Sequence, residues 1–215
     1  MKFPEVVVVD YGAGNLLSVR RGLEYCGARV VFSREPKQIR NASRIVLPGV
    51  GAFKRGMQEL DQLQLIEPLL EVAKRGTPFL GICLGMQMLM EKSEEFGISD
   101  GLGLIPGKVI AVPRKNLSGV LQKIPHIGWN ELLSEEQYPN WSHTLLEDTQ
   151  TGEAMYFTHS FMANVENPKH QLAHCLYGGH HISAVVRRDN MTGCQFHPEK
   201  SGEAGLKILK KFICD

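Results

Sequence analysis

The chain has almost no excess charge of either sign and no long hydrophobic run. Its 24 lysines and arginines nearly balance 23 aspartates and glutamates, which gives a net charge of +1. Binding to nucleic acid or to an acidic membrane through charge requires a clear basic excess, so we expect neither partner. No apolar segment approaches the roughly 20 residues that cross a bilayer.

Cysteines are few and irregularly placed. There are five of them, an odd number without regular spacing, and no Cys-x-x-Cys pair is present. This pattern indicates reduced thiols rather than a disulfide framework or a metal site. We therefore expect a cytoplasmic protein with no metal and no cofactor. Residues 1–5 lead directly into a valine-rich segment and lack the apolar stretch and cleavage site of a signal peptide.

Composition and length predict a single globular domain over residues 1–215. Hydrophobic residues make up 43% of the chain and charged residues 22%, values that are ordinary for a globular protein. The sequence contains no repeat, low-complexity tract or linker. A chain of this length buries about 70% of the surface that its unfolded form exposes.

Short apolar segments alternate with helical patterns in the first half of the chain. The predicted strands are 6–9, 29–32, 44–47 and 79–82, and the predicted helices are 16–26, 57–73 and one that opens at 84–90. Short β-branched strands of this kind are typical of parallel sheets with both faces covered. Strands that alternate with helices imply right-handed crossovers in such a sheet.

The second half changes to short strands and turns. Its predicted strands are 127–133, 155–158, 171–176, 182–187 and 192–196, and an exposed loop is predicted at 114–123. A last helix follows residue 199. The predicted fold class is therefore α/β and flavodoxin-like: three layers, a mostly parallel sheet with helices on both faces, and an antiparallel extension in the second half.

Cys83 lies in a pattern that suits a nucleophile. Gly81 and Gly85 flank it at a distance of two residues, directly after the strand predicted at 79–82. This is the Gly-x-nucleophile-x-Gly turn between a strand and a helix, with cysteine in place of serine. A lone cysteine in an apolar run is usually only a small buried hydrophobe, and we interpret the other four in that way.

His197 and Glu199 supply the groups that such a thiol needs. They stand two residues apart, so in an extended segment their side chains point to the same face. The carboxylate can hold the imidazole in one tautomer while the imidazole activates the thiol. A tetrahedral intermediate also needs donors for its oxyanion. The backbone N–H of Leu84 is one candidate, and the turn Gly49-Val50-Gly51 offers a second.

The residues therefore predict acyl transfer through a thioester, and two rival hypotheses remain. One is a cysteine hydrolase that cleaves a small amide or peptide without a partner. The other is a nucleotide-binding module that uses Gly12 and Gly14, although that motif is too short for a dinucleotide fingerprint.

The segments around Cys83 and His197 resemble the triad-type glutamine amidotransferases. Over nearly its whole length the chain looks like the glutaminase subunits of imidazole glycerol phosphate synthase. The matching segments are 10–16, 47–53, 81–87, 101–107, 125–130 and 195–202.

The resemblance implies that L-glutamine is hydrolysed to glutamate and ammonia. Gly49, Gly51, Gln87 and Ser160 match positions that hold the glutamine. It also implies a (β/α)8-barrel cyclase as a separate partner in a heterodimer, through which ammonia reaches a phosphorylated sugar intermediate.

Asn15, Trp129 and Lys200 match positions at the interface with that cyclase. An exposed tryptophan and lysine beside an active site suit a docking surface. Core packing is the alternative interpretation of Trp129. Paralogues of these subunits serve other acceptors, including amidine formation on nucleotide-linked sugars of surface polysaccharides. The acceptor pathway is therefore open between histidine biosynthesis and such a pathway.

Overall fold

An eight-stranded sheet runs through the centre of the chain in the computed structural model, which describes residues 3–214. Met1 and Lys2, which belong to the leading segment discussed above, lie outside the described residues, as does Asp215. In spatial order the strands are β2 (Arg29–Ser33), β1 (Glu5–Val9), β3 (Ile45–Gly49), β4 (Phe79–Cys83), β14 (Met191–Cys194), β13 (His180–Arg188), β12 (Gln171–Tyr177) and β9 (Leu133–Ser134).

The first five strands of this order pair in parallel. The pairings of β14 with β13, of β13 with β12 and of β12 with β9 are antiparallel. The order β2-β1-β3-β4 followed by a further parallel strand is that of flavodoxin-like sheets. The predicted fold class, including its antiparallel extension, is confirmed.

Helices cover both faces of the sheet. They are α1 (Leu16–Tyr25), α2 (Pro36–Arg40), α3 (Phe53–Gln62), α4 (Ile66–Lys74), α5 (Leu84–Met88) and α6 (Gly202–Cys214). Alternate residues of β1 enter two separate cores: Val6 and Val8 pack in the core that contains α1 and α6, and Val7 and Val9 in the core that contains α3, α4 and α5. This alternation produces the three layers.

The helix predicted at 57–73 is wrong, because the structure has two helices there. α3 ends at Gln62, α4 begins at Ile66, and Gln64 between them has a φ of 55°. Pro68 explains the break, since a proline has no N–H to donate to the residue four positions earlier and its ring clashes with that carbonyl. The apolar spacing continues across the break because both helices pack on the same core.

The helix predicted at 84–90 is also too long. α5 ends at Met88, and the chain then enters β5 (Met90–Ser93) of a second sheet. That four-stranded sheet, in the order β11 (Phe161–Val165), β7 (Ile105–Ala111), β5 and β6 (Ser99–Asp100), was not predicted. Its strands lack a clear alternation of buried and exposed residues, β7 in particular, so they give little periodic signal.

The remaining strands form a two-stranded ribbon of β8 (His126–Glu131) and β10 (Ala154–His159). The strand predicted at 127–133 is thus divided between β8 and β9, and the one predicted at 192–196 ends at Cys194. The exposed loop at 114–123 is confirmed: apart from a single bridge between Lys115 and Leu121 it contains no strand pairing. Within residues 3–214 every helix is too short or too polar to cross a bilayer.

Candidate active site

Cys83 occupies a strained turn between β4 and α5. Its φ is 54°, a left-handed conformation that a residue with a side chain seldom adopts. The flanking glycines leave room for the crossing backbone. A Cβ on Gly81 would lie 2.8 Å from the carbonyl oxygen of Gly85, and a Cβ on Gly85 would overlap the carbonyl oxygen of Leu47. The fold therefore requires glycine at both positions and holds the thiol at the tip of the turn.

His197 and Glu199 form a buried pair after β14. Nδ1 of His197 lies 2.8 Å from Oε1 of Glu199, and the two side chains are 4% and 1% exposed. Because the carboxylate accepts, Nδ1 carries the proton and Nε2 is left as the base. Among residues 3–214, Nε2 of His197 has no hydrogen-bond partner.

The backbone around His197 is also fixed. Its N–H donates to the carbonyl oxygen of Tyr156 at 3.0 Å, and the hydroxyl of Ser201 donates to its carbonyl oxygen at 2.6 Å. Electrostatics favour the charged ring. Burial lowers the pKa of His197, but its interactions with Cys83 and Glu199 outweigh burial and raise that pKa to about 9. The site therefore favours the protonated form of His197.

A cavity of about 280 Å³ opens at the thiol. Six of the predicted site residues line it: Val50, Gly51, Cys83, Leu84, Gln87 and Ser160. Gly49 is not among the lining residues but is paired with Cys83 in the register of β3 and β4. His197 and Glu199 are buried outside the lining, next to the thiol whose charge acts on His197.

Two backbone segments could stabilise an oxyanion here. Leu84 is the first residue of α5, so its N–H is not used within the helix. The other segment follows Gly49, where Gly51 has a φ of 105°. A Cβ on Gly49 would overlap the hydroxyl oxygen of Tyr11. That hydroxyl is buried and has no partner in the described chain, and burial together with the charge of Cys83 raises its pKa.

Comparison with known proteins places this geometry in a family. The model of the class-I glutamine amidotransferases matches residues 7–215. This chain belongs to that family. It is 54% identical over 208 residues to imidazole glycerol phosphate synthase subunit HisH 1 of Legionella pneumophila (strain Lens), covering 97% of this chain and 98% of the relative.

Other HisH subunits are similar over nearly the same length. The subunit of Methanosarcina barkeri is 45% identical and that of Geobacter sulfurreducens 42% identical, each over 97% of this chain and 97% of the relative. Among solved structures, a glutamine amidotransferase matches with a TM-score of 0.72 at 14% identity, covering 98% of this chain and 99% of that one. PurLQS of Thermotoga maritima matches with a TM-score of 0.71 at 20% identity over 99% of both chains. These two structures support the fold.

Groups that the sequence did not reveal lie in and next to the amidotransferase cavity. Gln195 is fully buried, and its amide nitrogen lies 3.8 Å from Sγ of Cys83. Glu95 brings a carboxylate to the cavity wall and accepts the N–H of Phe53 at 2.6 Å. Thr158, His159 and Phe161 also line the cavity. Gln195 stands in the segment that contains His197, which was a usable signal; Glu95 lies in no recognisable pattern.

The predicted Gln87 is held firmly inside this amidotransferase. Its amide nitrogen donates to the carbonyl oxygen of Phe161 at 2.9 Å and to Oε1 of Gln195 at 3.1 Å. Both hydrogens of the amide nitrogen are thereby used, which leaves the amide oxygen to accept a hydrogen bond from a ligand.

The three predicted interface residues lie outside the amidotransferase cavity. Asn15 caps α1, with its side-chain oxygen accepting the N–H of Ser18 at 3.3 Å. Trp129 is 59% exposed and touches Tyr156 edge-on, so core packing is excluded for it. Lys200 is exposed in the short turn directly after Glu199.

Proposed function

We propose that this chain hydrolyses L-glutamine to glutamate and ammonia through a thioester on Cys83, and that the ammonia passes to a (β/α)8-barrel cyclase that makes imidazole glycerol phosphate in histidine biosynthesis. One observation carries the proposal. The thiol and the amide of Gln87 line one cavity, and the imidazole–carboxylate pair lies beside the thiol, in a chain that is 54% identical to a subunit of imidazole glycerol phosphate synthase.

The first half of the reaction forms the thioester. The thiolate of Cys83 attacks the side-chain amide carbon of glutamine. A C–S bond forms while the electron pair of the C=O π bond moves onto oxygen, which gives a tetrahedral oxyanion. The N–H of Leu84 and an N–H from the segment after Gly49 stabilise that charge. His197, which holds the thiol proton on Nε2, gives it to the leaving nitrogen, and the C–N bond breaks to release ammonia.

The second half regenerates the enzyme. Water attacks the thioester carbon while Nε2 of His197 takes one of its protons. The C–S bond breaks, glutamate leaves, and the thiolate–imidazolium pair returns. Throughout, Glu199 keeps Nδ1 protonated and stabilises the cationic ring, which its 2.8 Å contact supports.

Substrate recognition is assigned to the polar groups of the cavity wall. The free amide oxygen of Gln87 and the carboxylate of Glu95 suit the α-ammonium of glutamine, since both accept hydrogen bonds. Ser160 offers a hydroxyl to the far end of the substrate. A cavity of about 280 Å³ suits a single amino acid better than a peptide.

A docked partner explains why ammonia is not lost. Ammonia released into water takes up a proton and ceases to be a nucleophile, whereas a closed interface keeps it neutral. The exposed Trp129 and Lys200 and the N-terminal end of α1 at Asn15 are the proposed docking residues. We further propose that residues 1–215 act as one catalytic domain in the cytoplasm.

Activation on docking is part of the proposal. A second cavity, of about 350 Å³, lies against Val50 and Gly51 and gives this turn open space on its other side. Glycines make a reorientation of the peptide inexpensive. The isolated chain is therefore expected to be a poor glutaminase, with the oxyanion donor turned away until the partner and its ligand are bound.

The test is steady-state glutamate production by the chain alone, with the cyclase, and with the cyclase plus its sugar-phosphate ligand. We expect the rate to rise at each step. Equal rates in all three would remove activation by the partner, and full activity of the chain alone would favour a hydrolase without a partner. Trp129→Ala and Lys200→Ala with unchanged affinity for the cyclase would remove the proposed docking face.

A further inference from the structure

An unbroken run of side-chain hydrogen bonds joins β8 to the glutamine cavity. Nδ2 of Asn130 lies 3.4 Å from Nε2 of His126, and Nδ1 of His126 lies 2.9 Å from Nε2 of His159. Nδ1 of His159 lies 2.8 Å from the carbonyl oxygen of Phe161, which also accepts from Gln87 at 2.9 Å.

The chemistry of the two ends fixes the direction of every bond. A carbonyl only accepts, so Nδ1 of His159 must carry a proton toward Phe161. In the neutral ring its Nε2 is then an acceptor, and it accepts a hydrogen bond from the Nδ1–H of His126. Nε2 of His126 in turn accepts from Asn130, whose amide is oriented because its oxygen accepts the N–H of Glu131 at 2.9 Å. Both histidines are therefore neutral Nδ1–H tautomers.

Neutrality fits the surroundings of both rings. His126 and His159 are 3% and 6% exposed. Burial lowers the pKa of each to about 4. For His159 the hydrogen bond to the carbonyl of Phe161 opposes this effect, and the charges of His126 and His197 add to it. A proton added to either Nε2 would place two N–H groups opposite each other and break the run.

Packing holds the first ring in a single orientation. His126 is stacked between Phe157, at 5.1 Å, and Tyr177, at 4.1 Å between ring centroids. It is also the cross-strand partner of His159 in the β8–β10 ribbon. The opposite face of β8 carries the exposed Ile127 and Trp129. One strand thus presents the proposed docking residue on its outer face and the start of the hydrogen-bonded run on its inner face.

We propose that His126 and His159 are positioning residues of the glutaminase reaction, which fix the carbonyl of Phe161 and the amide of Gln87 and tie them to β8. The inference rests on the proposed function. Neither imidazole needs to exchange a proton during catalysis. Their contribution is to binding, because they hold Gln87 with its amide oxygen already oriented to accept a hydrogen bond from the substrate.

The decisive variant is His126→Phe, which keeps an aromatic ring in the stack but removes the donor to His159. The full chain, with the cyclase and its sugar-phosphate ligand, is assayed with L-glutamine. We expect KM for glutamine to rise about 3- to 10-fold, the range that corresponds to one lost neutral hydrogen bond, while kcat stays within about 2-fold. His126→Asn, whose Nδ2 takes the place of Nδ1, should restore much of the wild-type KM.

His174→Phe is the matched control. His174 is buried to a similar extent, at 7% exposure, and is stacked on His181 at 4.2 Å, but its Nδ1 is bonded to Glu135 and it does not line the cavity. Its KM should not change. If wild type hydrolyses glutamine and His126→Phe has the same KM as wild type, the positioning role is refuted. A wild-type chain without glutaminase activity under the same conditions would instead refute the proposed function.

A second measurement needs no variant. The ¹⁵N spectrum of labelled wild type at neutral pH should show protonated Nδ1 and bare Nε2 for both His126 and His159. Either ring in the Nε2–H tautomer, or protonated on both nitrogens, would overturn the inference even if His126→Phe failed to fold.

Discussion

His197 and the pair formed by His126 and His159 are buried almost equally, at 3%, 3% and 6% exposure, yet their protonation is opposite. The pKa of His197 is raised to about 9, whereas those of the other two are lowered to about 4. The difference lies in the neighbours. His197 has a carboxylate at 2.8 Å and a thiol nearby, while the pair bonds only to neutral groups.

This contrast separates two uses of a buried imidazole. Burial alone disfavours the cation, so a histidine surrounded by neutral partners becomes a fixed donor and acceptor. An adjacent carboxylate reverses that preference and makes the ring a proton carrier. The neighbours, rather than the depth of burial, therefore distinguish the chemical role proposed for His197 from the positioning role proposed for the pair.

The largest expected effect comes from Cys83→Ala. Loss of the nucleophile should reduce glutamine hydrolysis by about 10⁴-fold or more. The substitution should also lower the pKa of His197, because its interaction with Cys83 is one of the causes that raise it. NMR titration of His197 in this variant measures that change. Turnover close to that of wild type would remove Cys83 from the chemistry.

His197→Ala should reduce kcat by about 10²–10⁴-fold, the usual contribution of a positioned general acid and base. His174→Ala serves as the comparison, since it truncates a buried histidine away from the thiol. Single-turnover measurement of glutamate formation reports the chemical step. A loss of less than about 10-fold would place the proton carrier elsewhere.

Glu199→Gln should have a smaller effect on kcat than His197→Ala. The amide keeps the shape of the carboxylate but no longer stabilises the cation, so the pKa of His197 should fall toward that of the pair. The pH profile of kcat/KM together with the NMR titration would detect this shift. Were Glu199→Gln the more damaging of the two, the assigned roles would be reversed.

The smallest predicted effect is on the pH dependence of the free energy of unfolding. It has opposite signs at His197 and at the pair formed by His126 and His159. The folded pKa of His197 is above the unfolded value of 6.5, so its stabilisation is complete below pH 6.5 and is lost as pH rises toward 9. The folded pKa of the pair is below 6.5, so their stabilisation is complete above pH 6.5 and is lost as pH falls toward 4.

Across each of these two pH ranges the free energy of unfolding should change by roughly 2–4 kcal/mol per histidine, at about 1.4 kcal/mol per pKa unit. Urea unfolding at pH 5, 6.5 and 8.5 measures both sides. Glu199→Gln should flatten the alkaline side and His126→Phe the acidic side. Identical pH dependence in wild type and both variants would show that these rings do not produce the predicted slopes.

The sequence predicted the parallel core because its signals are local. Valines 6–9 alternate between two cores, and the glycines around Cys83 are required by contacts within a few ångströms, so a short window of sequence is enough. The second sheet escaped prediction because its strands are stabilised by pairing with distant segments, as in β7 with β11, rather than by periodicity.

The residues in and around the cavity fall into the same two groups: some are recognisable from neighbouring sequence, and others are placed by contacts with distant parts of the chain. Cys83, His197 and Glu199 are recognisable from their immediate neighbours in the chain. His159 takes its role from His126, 33 positions away, and no local pattern indicates that contact. Gln195 lies in the recognisable segment of His197, but its contact with Gln87, 108 positions away, is not indicated by that segment. Glu95 reaches the cavity because the chain leaves the first sheet after β4 and enters β5 of the second sheet after a helix of only five residues, a short helix that helical periodicity did not indicate.

The close approach of Tyr11 to Gly49 has a consequence for how this sequence can change over evolutionary time. Because the hydroxyl fills the space where any side chain at position 49 would begin, the two positions are epistatic. A Cβ at 49 would also lie 2.9 Å from Cβ of Leu84, so Tyr11 and Leu84 together confine this position to glycine. A lineage could explore alanine there only after the packing of both Tyr11 and Leu84 around position 49 had changed, so these contacts constrain the order of substitutions.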